Sequence, residues 1–225
     1  MNREAISRYC LNLVKEILKE KPEMNTILLS SSGDDYEMKC YDLGISIYGE
    51  LDEAFDISIA YGASKLVLIP SDSDYVIKIP FGIYNNVDFC KIEEENYLRI
   101  KEDEPELAKY FAECWRAGEV FVENEDNEDE EVKVPIYIMR RTIVDETKVS
   151  DASYNLYINS GGDEEDYCID DENDETYSCF EFYYGIEELE RILDIIDTLG
   201  INDLHTGNVG FINNMPVFID YSGFH

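Results

Sequence analysis

The chain of 225 residues is 44% hydrophobic and 12% aromatic, enough to bury the core of one large domain or two small lobes, and this excludes an intrinsically disordered protein. Its 51 acidic and 18 basic residues leave a formal charge of -33, which excludes direct nucleic-acid binding and docking on anionic membranes, since both need Lys and Arg. Such a surface is solvated and highly soluble, and it attracts divalent cations and basic protein partners.

The six cysteines, Cys10, Cys40, Cys90, Cys114, Cys168 and Cys179, include no C-x-x-C pair, and only two histidines accompany them, which argues against zinc. Scattered thiols behind an N-terminus that is charged throughout lead to the expectation of a reduced, cytoplasmic protein. No apolar run approaches the roughly 20 residues of a membrane helix.

Residues 3–20 carry Ile6, Tyr9, Leu13, Val14, Ile17 and Leu18 at helical spacing, and Pro22 ends the pattern. "NTILLSSSGDD" reads as a short strand and turn. Three β-branched runs follow, "FDISIAYG", "SKLVLIP" and "DYVIKIPFG", with the polar "SDSD" between the second and third, and together they predict an antiparallel meander. Residues 88–101 read as a helix that Asp88 caps. "PELAKYFAECWRAG" reads as a second helix, with Pro105 in its first turn and Gly118 as its stop. "EVFVE", an acidic loop and "VPIYIMR" predict a hairpin, with a hinge near 139–145. Residues 150–180 are weakly patterned, and "GGDEEDYCIDDENDET" reads as an exposed acidic loop. "GIEELERILDIIDTLG" is a strong amphipathic helix stopped by Gly200.

Two strand-like runs, "NVGFI" and "MPVFIDYS", close the chain around an "NN" turn. The loop before them holds Asp203, His205 and Asn208, and the hairpin returns Asp220 beside Asn208. An amide oxygen and a carboxylate are hard ligands suited to Mg²⁺. Asp203, at the other end of the loop, stands where a general base could meet a hydroxyl. On spacing alone these residues could be a turn, a metal site or a catalytic loop. The lone His205 fits a role in orienting the loop.

Asp203-x4-Asn208 followed by Asp220 resembles the catalytic loop and metal-binding Asp of the protein-kinase-like superfamily. The form "DLHTGN" is similar to the loop of aminoglycoside phosphotransferases, choline kinases and kinase-like proteins of bacteria and phages. The resemblance implies an α+β, two-lobe kinase-like fold: an N-terminal extension at 1–35, a β-rich N-lobe at 36–141 and a reduced helical C-lobe at 142–225. It implies ATP and Mg²⁺ as cofactors, Asp203 as the catalytic Asp, and Asn208 and Asp220 as metal ligands. Aligning "VIKI" with V-A-I-K makes Lys78 the phosphate-binding lysine. A buried ammonium needs an anion, and of Glu93, Glu94 and Glu95 the expected partner is Glu94, with Glu93 second. Gly62 is the one match to the phosphate loop's glycines, Ala60 and Lys65 filling the other places. Backbone groups of Met139 to Arg141 would hold an adenine. The chain reaches His225 without the family's further substrate helices, and the family's His before the loop Asp is replaced. The functional expectation is therefore an ATP-dependent phosphotransferase acting on a protein or small-molecule hydroxyl, with a catalytically impaired, acidic protein that captures a basic partner as the alternative.

Overall fold

The computed structural model describes residues 2–29, 51, 53–61, 64–80, 87–123, 131–168 and 172–223. The chain is α+β and forms two compact units, residues 1–94 with 114–140 and residues 95–113 with 141–225.

The first unit is a five-stranded antiparallel sheet with helix α1 (Arg3–Glu20) on one face. Its strands are β1 (Ile57–Tyr61), β2 (Lys65–Pro70), β3 (Tyr75–Pro80), β4 (Cys114–Glu123) and β5 (Glu131–Arg140), in the order β1-β2-β3-β5-β4. Asn2 caps α1 by accepting a hydrogen bond from Ala5 N. Ile6, Cys10, Val14 and Ile17 recur at three- and four-residue intervals and are buried. They pack on Leu66, Leu68, Ile77, Ile79, Trp115, Val120, Val134, Ile136 and Ile138, the residues that strand alternation sends to that face. Trp115 Nε1 donates to Ser7 Oγ at 3.1 Å, tying helix to sheet.

Two expectations from the sequence are overturned. Of the segment 25–35 read as a short strand and turn, the described part belongs to a short helix, α2 (Met24–Leu29), in which Met24 and Leu28, four residues apart, are both buried, and residues 30–35 lie outside the described residues. Residues 105–118 do not form a helix. A single 3-10 turn (Ala108–Tyr110) leads to β4, which pairs along its whole length with β5. Gly118 is not a helix stop but sits at a bulge, with φ 152°, where the register shifts after Arg116.

Helix α3 (Phe89–Asp103) opens with Asp88, whose Oδ1 accepts from Lys91 N at 3.0 Å. Phe89, Cys90, Glu93, Asn96, Tyr97 and Ile100 are its buried stripe, while Leu98 is 47% exposed.

In the second unit, α4 (Glu146–Asn159), α5 (Glu172–Tyr184) and α6 (Ile186–Leu199) accompany a three-stranded sheet of β6 (Ile143–Val144), β7 (Val209–Ile212) and β8 (Met215–Phe218). Helices α4 and α5 occupy most of the span that sequence left weakly patterned; residues 169–171 of the acidic run lie outside the described residues. Asn213 and Asn214 both take positive φ, 52° and 66°, which makes the tight β7–β8 hairpin. Residues 95–113, assigned by the sequence reading to the first lobe, belong here because Ala112 N donates to Phe218 O and Asn96 Nδ2 donates to Tyr221 O, each at 2.8 Å. The boundary expected at 35 lies outside the described residues. Among the described residues no helix is long and apolar enough to cross a membrane.

Candidate functional site

Chemistry-bearing residues gather in two clusters, one in each unit. In the first unit, Lys78 leaves the face of the sheet opposite to α1, because its neighbours Ile77 and Ile79 occupy the core face. Its Nζ lies 2.8 Å and 2.7 Å from the two carboxylate oxygens of Glu93, and both side chains are buried. The two N–H···O⁻ contacts are charge-assisted and satisfy an anion that burial would otherwise disfavour. Lys65, the first residue of β2, joins the same carboxylate at 2.5 Å.

The expected partner Glu94 is thereby corrected to Glu93. One residue along a helix is a turn of about 100°, and the buried stripe of α3 runs through Cys90, Glu93 and Tyr97. Glu94 lies beside it and accepts from Arg116 N at 2.8 Å instead. Choosing Glu94 assumed that Leu98 faced inward, and Leu98 is exposed.

Met139 enters the cluster through its side chain. Its sulfur is 3.7 Å from Lys78 Nζ, while its place inside β5, opposite Val76 on one side and Cys114 on the other, gives its backbone to the sheet. Cys90 and Cys114 are buried close to this cluster, and burial pushes both thiols up from their ordinary range, the Glu93 charge adding to the effect. Tyr137 OH donates to Asp88 Oδ2 at 2.7 Å, and its phenol is pushed up by burial first and by Asp88 second. Gly62 lies outside the described residues.

In the second unit, α6 ends at Gly200 in the left-handed conformation, and the loop begins there. Ile201 and Leu204 are buried anchors on either side of Asp203. Asn208 is buried, and its side-chain Nδ2 donates to the backbone carbonyl of Asp203 at 2.8 Å. That bond spans the loop and closes it. With the amide nitrogen so engaged, the Asn208 oxygen is the group turned away from the Asp203 carbonyl. His205 caps the 3-10 turn Thr206–Asn208, its Nδ1 accepting from Gly207 N at 3.1 Å. The neutral ring therefore carries its proton on Nε2, which lies 4.0 Å from Asp203 Oδ1. His205 is thus a loop-shaping residue.

The segment with Asp220 is fixed on all sides. Ile219 N donates to Asn208 O at 3.0 Å, so Asp220 stands one residue beyond the ladder partner of Asn208. Tyr221 is fully buried, and its hydroxyl donates to Ala112 O at 2.6 Å. Beneath it Phe111, Phe180 and Phe218 stack, the last two nearly parallel at 4.2 Å. Ser222 Oγ donates to Asp220 Oδ1 at 3.1 Å. Gly210 has no room for a side chain: a Cβ would stand 2.1 Å from Thr142 Oγ1. The sequence did not single out Lys65, Asn96, Tyr221 or Ser222 as supports. Only Lys65 had a legible signal, the period-2 alternation that puts it on the side of Val67 and hence of Lys78.

Asn208 Oδ1 and the Asp220 carboxylate are hard oxygens that fit a magnesium ion, which keeps several waters and takes the rest of its shell from phosphate. Among the described residues there is no group of three or more His, Cys, Asp or Glu able to hold a metal. No protein-family model and no curated protein matches the chain.

Proposed function

We propose that this chain is an ATP- and Mg²⁺-dependent phosphotransferase of the protein-kinase-like superfamily, with that superfamily's two-lobe fold, acting on a hydroxyl of a protein or small molecule. The observation that carries the reading is the closed loop of the second unit: Asn208 holds the Asp203 carbonyl, and the β7–β8 hairpin returns Asp220 next to it. The buried Lys78–Glu93 pair on an antiparallel sheet is independent support.

Each residue has a role in such a transfer. Lys78, oriented by Glu93, would donate to a phosphate oxygen. Asn208 and Asp220 would hold the cation, which when bound neutralises charge on the phosphates. Asp203, whose side chain is over a third exposed, would accept the hydrogen bond of the incoming hydroxyl and take its proton as the new P–O bond forms and the bond from the γ-phosphorus to its bridging oxygen breaks, ADP departing with that oxygen. Positioning and charge neutralisation are the means of catalysis in this chemistry.

Isothermal calorimetry with Mg-ATP tests the reading. The intact protein binds, Asp220→Ala loses Mg²⁺-dependent affinity, and Asp203→Ala keeps affinity while turnover falls by about 10²–10⁴. Absence of heat at millimolar Mg-ATP overturns it. A second reading, an acidic protein that keeps the fold and captures a basic partner, is favoured by the charge of -33. Under that reading Asp220→Ala keeps the partner.

A further inference from the structure

Lys65 Nζ and Lys78 Nζ meet the same oxygen, Glu93 Oε1, at 2.5 Å and 2.8 Å. Their separation is therefore less than those two lengths together. Both lysines are 4% exposed and Glu93 is 0% exposed. The sheet imposes this arrangement. Lys78 stands opposite Val67, and Lys65 is two residues before Val67 on the same strand, so both side chains leave one face.

Bringing two ammonium groups together away from water is unfavourable, because like charges repel more strongly as the dielectric falls. A methionine or leucine at position 65 would fill a buried strand position without that repulsion, and replacements of buried ions by apolar side chains are often neutral or stabilising. Glu93 accounts for the spacing: one carboxylate, carried on α3, sets two cations at a fixed interval. A polyphosphate presents anionic oxygens on adjacent phosphorus centres, which two cations held at such an interval can meet separately.

We propose that Lys65 and Lys78 form a two-lysine seat for the polyphosphate of a nucleoside triphosphate, Lys65 contacting the phosphate next to the one that Lys78 meets. Side-chain donors then stand in for backbone contacts of a glycine-rich loop at the position where this chain has lysine. The nucleotide rests on the phosphotransferase reading; the polyphosphate seat does not.

The test compares the intact protein with Lys65→Met in calorimetry, using Mg-ATP and inorganic tripolyphosphate as separate probes, with thermal melting alongside. Loss of one charge-assisted contact weakens both probes by about ten- to a hundredfold, while the melting temperature is kept or raised. Unchanged affinity in Lys65→Met overturns the seat and leaves the phosphotransferase reading standing. Binding of tripolyphosphate by the intact protein, weakened in Lys65→Met, with no affinity gained from adenosine, supports the seat and overturns the nucleotide. A melting temperature that falls with affinity unchanged assigns Lys65 a structural role and overturns the seat. Should Lys65→Met not fold, acetic anhydride labelling of the intact protein with and without tripolyphosphate, read by peptide mass spectrometry, decides the same question. Protection of both lysines supports the proposal, and protection of Lys78 alone, or of neither, overturns it.

Discussion

The side-chain amide of Asn208 donates to the backbone carbonyl of Asp203 at 2.8 Å, across five residues of loop. That bond turns a stretch of irregular chain into a closed ring with Asp203 at one end and the start of β7 at the other. The same residue's carbonyl accepts from Ile219 N, so Asn208 ties the loop to the strand that precedes Asp220. A single residue, through its side-chain amide and its backbone carbonyl, thus couples the positions of two acidic groups.

Asn208→Ala removes the bridge and leaves the Asp203 carbonyl to find another donor. The expected destabilisation is about 1–3 kcal/mol, the range for stranding a part-buried polar partner. Asn208→Asp is expected to be at least as damaging, since it sets carboxylate oxygen against carbonyl oxygen. Urea unfolding of the two variants checks this. An Asn208→Asp protein as stable as the parent would mean that the bridge does not hold the loop.

Glu93 and Glu94 offer a sharper contrast, because they are neighbours of identical chemistry. Glu93→Gln weakens the buried counter-charge of two lysines and is expected to cost about 3–5 kcal/mol, the range for breaking a buried ion pair. Glu94→Gln keeps an oxygen for Arg116 N at an exposed site and is expected to cost less than about 1 kcal/mol. Denaturation midpoints of the two single variants test the assignment, and equal midpoints would remove it.

This pair also shows what sequence can and cannot convey. The meander β1–β3, the α6 helix and the β7–β8 hairpin are legible because period-2 or period-3.6 apolar patterns are bounded by Gly, Asn or polar turns. Which of three consecutive glutamates faces inward was not legible, since it depends on the rotation of α3. The apolar signals at Tyr97 and Leu98 point to different faces, and only packing shows that Leu98 is the exposed one. The segment 105–118 misled for another reason. Pro105 and Gly118 imitate helix punctuation, and Leu, Ala and Glu favour helix, yet nine residue pairs with β5 and the burial of Cys114 and Trp115 outweigh local preference. Lys65 escaped because its role is tertiary: nothing local shows that a carboxylate 28 positions later will reach it.

Alkaline pH should unfold the protein early. Burial raises the Cys10 thiol to about 11 and the Cys179 thiol to about 12, and it raises Cys90, Cys114, Tyr137 and Tyr184 as well. A folded-state pKa above the unfolded one means that the unfolded chain loses its proton first. The stabilising contribution is therefore complete below about pH 9 and is lost as pH rises towards 11 or 12. Each thiol that ionises only in the unfolded chain adds a slope of about 1.4 kcal/mol per pH unit. Melting temperature measured from pH 8 upward should fall across this window, and Cys10→Ala should fall less steeply. A flat profile would show that these thiols are not desolvated.

Gly223 and Gly161 provide a paired test of how the Asp220 segment is held. Both take positive φ, 72° and 91°. An alanine at either suffers the left-handed backbone penalty of about 1–2 kcal/mol. Around Gly161 nothing lies within 4 Å of an added Cβ, so Gly161→Ala should cost no more than that. At Gly223 the same atom would stand 2.8 Å from the backbone oxygen of Gly200 and 3.5 Å from Ile201 Cα, which are backbone atoms that cannot turn aside. Gly223→Ala should therefore cost about 1–3 kcal/mol more, the range for overpacking. Relief of the contact requires the chain after Asp220 to move away from the start of the Asp203 loop. On the proposed function, Mg-ATP affinity then drops in Gly223→Ala and is untouched in Gly161→Ala. Equal stability loss in the two variants would show that the approach of Gly223 to Gly200 does not constrain the segment.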